Sequence, residues 1–366
     1  MKDTKTRDYY KGNGLISILQ THFGSKMNLA RIKFIALFLC ALCKTQTVNY
    51  EKIASVFAPR VDRGSSLRRI QRFMAGYNLC STMIAKLIVA LLPSNPPFTL
   101  SMDRTNWKFG EANINILVLA ICYKGMAFPV LHTMLDKRGN SNTAERIAII
   151  DRFIEIFGAN SIKHLTADRE FVGDKWINYL NSKCIHYYLR IRNNFNVTRH
   201  GRTIRASHLF NSVKIGEFRP LSQVYIVGKE HCYLAASKIK NSDGVVELQI
   251  IVSFSQPELS KKVYKERWEI ETAFKSLKTS GFNIEDTHLR DPERISKLFS
   301  LVLIAFTWAY LTGIYVDKHI KPIRVLRHKY KAKNLVKAGL ETIISTLNFG
   351  RNTKHPIDIF KFLSCS

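Results

Sequence analysis

One order of hydrophobic patterns constrains the fold of this chain more than anything else in it. Phe98–Trp107 (FTLSMDRTNW) reads as a strand. Asn113–Lys124 (NINILVLAICYK) is a buried apolar strand, Gly125 makes a turn, and Met126–Leu135 returns, so an antiparallel meander is expected. Asn142–Phe157 has helical spacing, Ser161–Ala167 is a strand, Gly173–Cys184 a helix and His186–Arg192 a fifth strand. Two aspartates stand where predicted strands end: Asp103 on the first, and Asp168 directly after Ala167 on the fourth.

Three strands, helix, strand, helix, strand is the order of the ribonuclease-H-like fold. The expected class is therefore α/β, a ribonuclease-H-like mixed sheet with flanking helices. Pro93–Pro97 (PSNPP) is the clearest boundary before it. Residues 1–97 are expected to be all-α and to bind DNA. Met27–Cys43 is an apolar helix, and Thr47–Phe57 a second with Thr47 at its start. Ala58–Gly64 is a turn, Ser65–Ala75 a basic helix capped by Ser65 or Ser66, and Tyr77–Leu92 continues as helix. Arg68, Arg69 and Arg72 lie on that basic helix; it is either the second helix of a helix-turn-helix, entering a major groove, or a helix of a plain bundle. Residues 98–192 are expected to form the first part of that sheet. The short alternating stretches of 193–256 predict a β-rich insert, after which 257–318 returns to the domain begun at 98 and 319–366 is a helical basic tail.

Glu258–Gly281 (ELSKKVYKERWEIETAFKSLKTSG) reads as a single helix, opened by Pro257 and Glu258 and stopped at Gly281. At about 100° per residue, Tyr264, Arg267, Glu271 and Lys278 fall within roughly 60° of one another. A phenol, a guanidinium, a carboxylate and an ammonium thus form one polar stripe beside an apolar stripe of Val263, Ile270, Phe274 and Leu277. Glu266 and Glu269 lie off the stripe that holds Glu271. An ordinary amphipathic helix with surface charges has the same pattern.

Composition narrows the partner. The 366 residues carry a formal charge of +28 with a pI near 9.9, and the Lys and Arg are spread along the whole chain. That excess calls for a polyanion, nucleic acid before membrane. Seven cysteines, odd in number and irregular in spacing, fit reduced thiols; Cys40 and Cys43, the close pair, lie in an apolar helical run without a second pair for zinc. Lys2, Lys5 and Arg7 are followed by polar residues, so no secretory leader is expected. Leu298–Val316 is 19 residues without a charge, either a membrane span or, as preferred here, a buried helix of a large domain.

The spacing Y-x2-R-x3-E-x6-K, met by Tyr264, Arg267, Glu271 and Lys278, resembles the YREK signature of the insertion-sequence-four family of DDE transposases. DRTNW at 103–107 and ADREF at 167–171 look like that family's segments around its first two catalytic aspartates. The resemblance covers about residues 98–290. It implies that Asp103, Asp168 and Glu271 are the catalytic carboxylates and bind two magnesium or manganese ions, which serve as their counter-charge. Asp136, Asp151 and Asp174 are the competitors. It implies that Tyr264, Arg267 and Lys278 contact DNA phosphates. It further implies a homodimer acting on terminal inverted repeats and target DNA, in a bacterial, nucleoid-associated cytoplasmic setting and without a membrane. Members cut the donor strand and use its 3′ hydroxyl to attack DNA; many pass through a hairpin aided by a flipped base stacked on aromatics. Trp268 matches a family tryptophan, whereas the insert has none, so Phe195, Phe210 or Tyr225 would have to stack. A ribonuclease-H-fold nuclease without strand transfer, and a catalytically silent DNA-binding regulator, are the rival readings.

Overall fold

Ten strands form one sheet in the order β3-β2-β1-β4-β5-β10-β9-β8-β6-β7 in the computed structural model, which describes residues 14–58, 60–240, 243–327, 331–350 and 357–364. The meander is β1 (Phe98–Phe109), β2 (Ala112–Tyr123) and β3 (Met126–Met134). Next come α6 (Thr143–Phe157), β4 (Ile162–Ala167), α7 (Asp174–Ser182) and β5 (Tyr187–Ile191). β1 pairs parallel with β4 and β4 parallel with β5, while β2 and β3 are antiparallel. This is the expected mixed α/β sheet, with boundaries within a residue or two of the sequence reading. α6 starts where it does because Asn142 and Glu145 form a reciprocal capping box.

The residues divide into two compact units: Ser94–Asn106 with Asn115–Ala273, and Met1–Pro93 with Trp107–Ile114 and Phe274–Ser366. In the first, the sheet core is filled by β2, whose Ile116–Ile121 run is wholly buried, and by Phe153, Trp176 and Tyr187 from the elements around it. The β-rich insert is present as β6 (Asn196–Arg199), β7 (Arg202–Arg205), β8 (Phe218–Val227), β9 (Glu230–Lys240) and β10 (Val246–Ser253). It is not a separate sheet. β10 returns antiparallel to β5, pairing Ile250 with Ile191 and Ser253 with Tyr188, and so continues the same sheet outward.

The second unit is helical: α1 (14–23), α2 (Leu29–Thr45), α3 (Tyr50–Phe57), α4 (Arg63–Gly76), α5 (Ser81–Leu91), α10 (Pro292–His319) and α11 (Leu335–Phe349). Several caps differ from expectation. Asn49, not Thr47, caps α3, because its side chain reaches the Glu51 and Lys52 amides. Asp62, not Ser65 or Ser66, caps α4. Tyr77–Cys80 breaks the predicted continuation, and α4 and α5 are bent by 106° there. The apolar run 298–316 lies inside α10, which is long and apolar enough to cross a membrane; 78% of its apolar window is buried inside the protein, against helices such as α2, α5 and α11. α10 and α11 approach so closely that a Cβ on Gly339 would stand 1.7 Å from the Ala309 carbonyl oxygen. Cys40 and Cys43 are free thiols in α2, and burial pushes Cys40 up to about 12, which disfavours the thiolate that zinc needs. Cys365 lies outside the described residues.

Candidate active site

The first two aspartates are placed by strand register. β1 and β4 run in parallel register from Phe98 beside Ile162 to Met102 beside Ala167. Asp103 and Asp168 are each the next residue, so both aspartates follow the last paired residues of the β1–β4 ladder. The expectation that Asp103 ends its strand is corrected: β1 continues for six more residues to Phe109, and only the pairing with β4 ends at Met102.

The helical segment from 257 onward is broken, not continuous. A 3-10 turn (Pro257–Leu259) leads into α8 (Ser260–Lys265), Glu266 and Arg267 form a turn, α9 (Trp268–Lys275) resumes, and a π-helical turn (Ser276–Ser280) ends it. The apolar stripe is as expected, with Val263, Ile270, Phe274 and Leu277 all buried. Val263 and Tyr264 pack on Tyr188 of β5 and Ile251 of β10. That packing aims the Tyr264 phenol at the aspartates: its hydroxyl donates to Asp168 Oδ1 at 3.2 Å. Burial pushes the phenol well above its usual range and keeps it a donor.

Arg267 is the centre of the arrangement. It is 3% exposed, and Nη1 lies 2.7 Å from Glu271 Oε1 and 4.0 Å from Asp103 Oδ2. Its guanidinium also stacks near the rings of Tyr264 and Trp268. Burial works against its charge, but Tyr264, Glu271 and Asp168 outweigh it and its pKa is raised. Its Nε is buried with no partner among the described residues. The sequence reading put Tyr264 and Arg267 on an exposed edge as phosphate contacts. Here both are buried and engaged with the carboxylates. Lys278 Nζ, in the π turn, pairs with Glu285 Oε1 at 2.8 Å.

The site holds more negative charge than its basic residues balance evenly. Asp103 is pushed up to about 7 by burial; the Arg104 amide (2.7 Å to Oδ1) and Arg267 oppose the rise, Glu170 and Asp168 add to it. Oxygen donors of this kind suit a hard divalent cation. Asp103 and Asp168 therefore fit such an ion. Glu271 is 41% exposed and held by Arg267, and among the described residues no three acidic, His or Cys side chains converge. The expectation that a metal is the sole counter-charge of the carboxylates is thus corrected: a guanidinium already neutralises the third. Of the competitors, Asp151 accepts from the Tyr179 hydroxyl at 2.7 Å, and Asp174 opens α7. Glu269 accepts from the Gly125 amide at 2.9 Å, which ties α9 to the β2–β3 turn.

Two positioning residues escaped the sequence reading. Arg104 grips Glu170 bidentately, Nε to Oε1 at 2.6 Å and Nη2 to Oε2 at 2.9 Å. It also donates to the Asn115 side chain, the Gly139 carbonyl and the Asn140 side chain. Buried Arg146 donates to the Glu170 carbonyl at 2.8 Å. The residue after one aspartate is thereby locked to the residue two beyond the other. The signal was available: Arg104 and Glu170 stand inside DRTNW and ADREF.

The remaining predicted contacts divide. Trp268 is 52% exposed, with the Arg267 guanidinium 4.8 Å from its ring centroid. Phe210 and Tyr225 are core residues, so neither can receive a flipped base; Phe195 is half-buried. Arg68, Arg69 and Arg72 are exposed on α4, and Arg69 lies over the Phe34 and Phe57 rings.

A cryo-EM structure described as the piggyBac transposase synaptic complex with hairpin DNA is similar at a TM-score of 0.47 and 12% identity, over 96% of this chain and 81% of that one. No curated protein matches. The family described as "Transposase DDE domain" matches residues 95–308, which hold both aspartates, Glu271 and more than half of the chain, and the protein belongs to that family.

Proposed function

We propose that this protein is a transposase of the insertion-sequence-four type. It cuts DNA at the element's terminal inverted repeats and joins the freed 3′ hydroxyl to target DNA, acting as a dimer. The observation that carries this is the convergence of Asp103 and Asp168 at one end of the β1–β4 ladder, with Tyr264 and Arg267 bridging toward Glu271.

Asp103 and Asp168 would hold a divalent cation, magnesium or manganese, which supplies charge neutralisation at the reacting phosphate and an activated oxygen nucleophile. The chain's own residues set the geometry. Tyr264 orients the Asp168 carboxylate by its hydrogen bond. Glu271, half-exposed and paired with Arg267, would supply the third carboxylate of such a site. Arg267, from its buried position, would hold Glu271 and face Asp103. Trp268 presents an exposed ring beside it, suited to a base unstacked at the cut.

The test is incubation of the purified chain with an end-bearing DNA fragment and magnesium or manganese, resolved on a denaturing gel. Nicked strands plus joined products support the reading. Nicks without joined products indicate a nuclease, and binding without nicks indicates a silent regulator.

A further inference from the structure

A cleft of about 810 Å³ opens in the helical unit, walled on one side by α4 and on the other by residues 287–289 and the first turn of α10. Three guanidiniums line it: Arg68 and Arg72, one turn apart on α4, and Arg294 on α10. Among the described residues none of the three forms an ion pair. Glu51 is the one carboxylate in the lining, and it is already paired with Arg63 at 2.7 Å. The floor is apolar, with Val48 and Met74 buried beneath it. At the rim stands His288, exposed and stacked flat on Phe109 at 5.1 Å between ring centroids.

Unneutralised charge of one sign in a low-dielectric cleft attracts a polyanion strongly. The shape decides which. A recognition helix enters a major groove about 12 Å wide only where it projects from its surroundings. Here Arg68 and Arg72 face an opposite wall that carries a third arginine. The space between is of the size that takes a small ligand, about 300–1,000 Å³, and is too small for a duplex. A basic groove with an apolar floor and a flat ring at its edge is the architecture of single-strand binding.

We propose that this cleft binds one unpaired DNA strand, phosphates on Arg68, Arg72 and Arg294, bases against the floor and His288. The proposal rests on the transposase reading for its source of such a strand, and it replaces major-groove insertion of α4. Arg294 is the discriminating residue, since a helix-turn-helix would not use it.

The experiment is fluorescence anisotropy of the full chain with a labelled single-stranded oligonucleotide and with the corresponding duplex, across a salt series. Arg294→Ala should weaken single-strand binding about tenfold, the value of one charged hydrogen bond, and flatten its log–log salt slope by about 0.7. Gln71→Glu places a negative charge among the arginines at an exposed lining position, where folding is not at risk, and should weaken the same binding. Duplex binding should change little in either variant. Unchanged single-strand binding in both, or equal losses on strand and duplex, overturns the proposal. DNA cutting is scored separately: strand binding in the cleft by a chain that never cuts would refute the transposase reading and leave the cleft standing.

Discussion

Arg267 Nη1 sits 2.7 Å from Glu271 Oε1 and 4.0 Å from Asp103 Oδ2, so one buried guanidinium serves two of the three candidate catalytic carboxylates. It occupies the role expected of a cation. Removing it should leave the acidic groups repelling one another and short of a partner. Arg267→Ala is expected to lower thermal stability in the presence of a chelator. The loss should be below the roughly 3–5 kcal/mol of a fully buried pair, because half-exposed Glu271 can turn to water. The same variant should bind manganese more tightly, since a neighbouring positive charge is gone, while cutting DNA more slowly. Isothermal titration with manganese checks this; weaker binding would show that Arg267 supports the ion rather than competing with it.

The clasp between Arg104 and Glu170 makes a second expectation. It joins the two aspartate-bearing segments with side chains only 14% and 21% exposed. Lys can keep the charge but not the bidentate fork. Arg104→Lys should therefore fold, yet cut with kcat reduced by up to about a hundredfold, as expected of misplacement near 1 Å, with DNA affinity unchanged. Binding titrations beside single-turnover kinetics separate the two; a loss confined to affinity would contradict a positioning role.

Asp103 gives a pH dependence with a definite sign. Its folded pKa, about 7, lies above the ordinary 3.8 because burial disfavours the carboxylate. Between those values the folded state binds the extra proton, so stability falls as pH rises from about 4 to about 7 and the loss persists above. Asp103→Asn removes the charge and keeps an oxygen that can accept from the Arg104 amide. With divalent ions chelated, the variant should be more stable than wild type at pH 8, by something on the order of a few kcal/mol. The difference should vanish near pH 4. Urea denaturation at the two pH values measures it; equal stability at pH 8 would mean the carboxylate carries no burial penalty.

Much of the sheet was legible because its strands bury both faces and announce themselves as apolar runs, as Ile116–Ile121 does. Helix starts were less so, since Thr47 and Asn49 are both competent caps and only the Asn49 side chain reaches the free amides. The break at Glu266–Arg267 left no sequence mark, since no Gly or Pro stands there. Helical phase alone therefore placed Arg267 on the surface. The pairing of β10 with β5 and the grip of Arg104 on Glu170 join residues about sixty apart. Neither local propensity nor spacing encodes such partners.

The central claim is that Asp103, Asp168 and Glu271 form one cutting centre. Its most direct test is cleavage of an end-bearing DNA fragment in magnesium or manganese by wild type and by Asp103→Ala, Asp168→Ala and Glu271→Ala, each checked for folding and for DNA binding. The account predicts nicking by wild type, none by any of the three, and DNA binding largely retained by all. Full cleavage by the Glu271→Ala protein would contradict it.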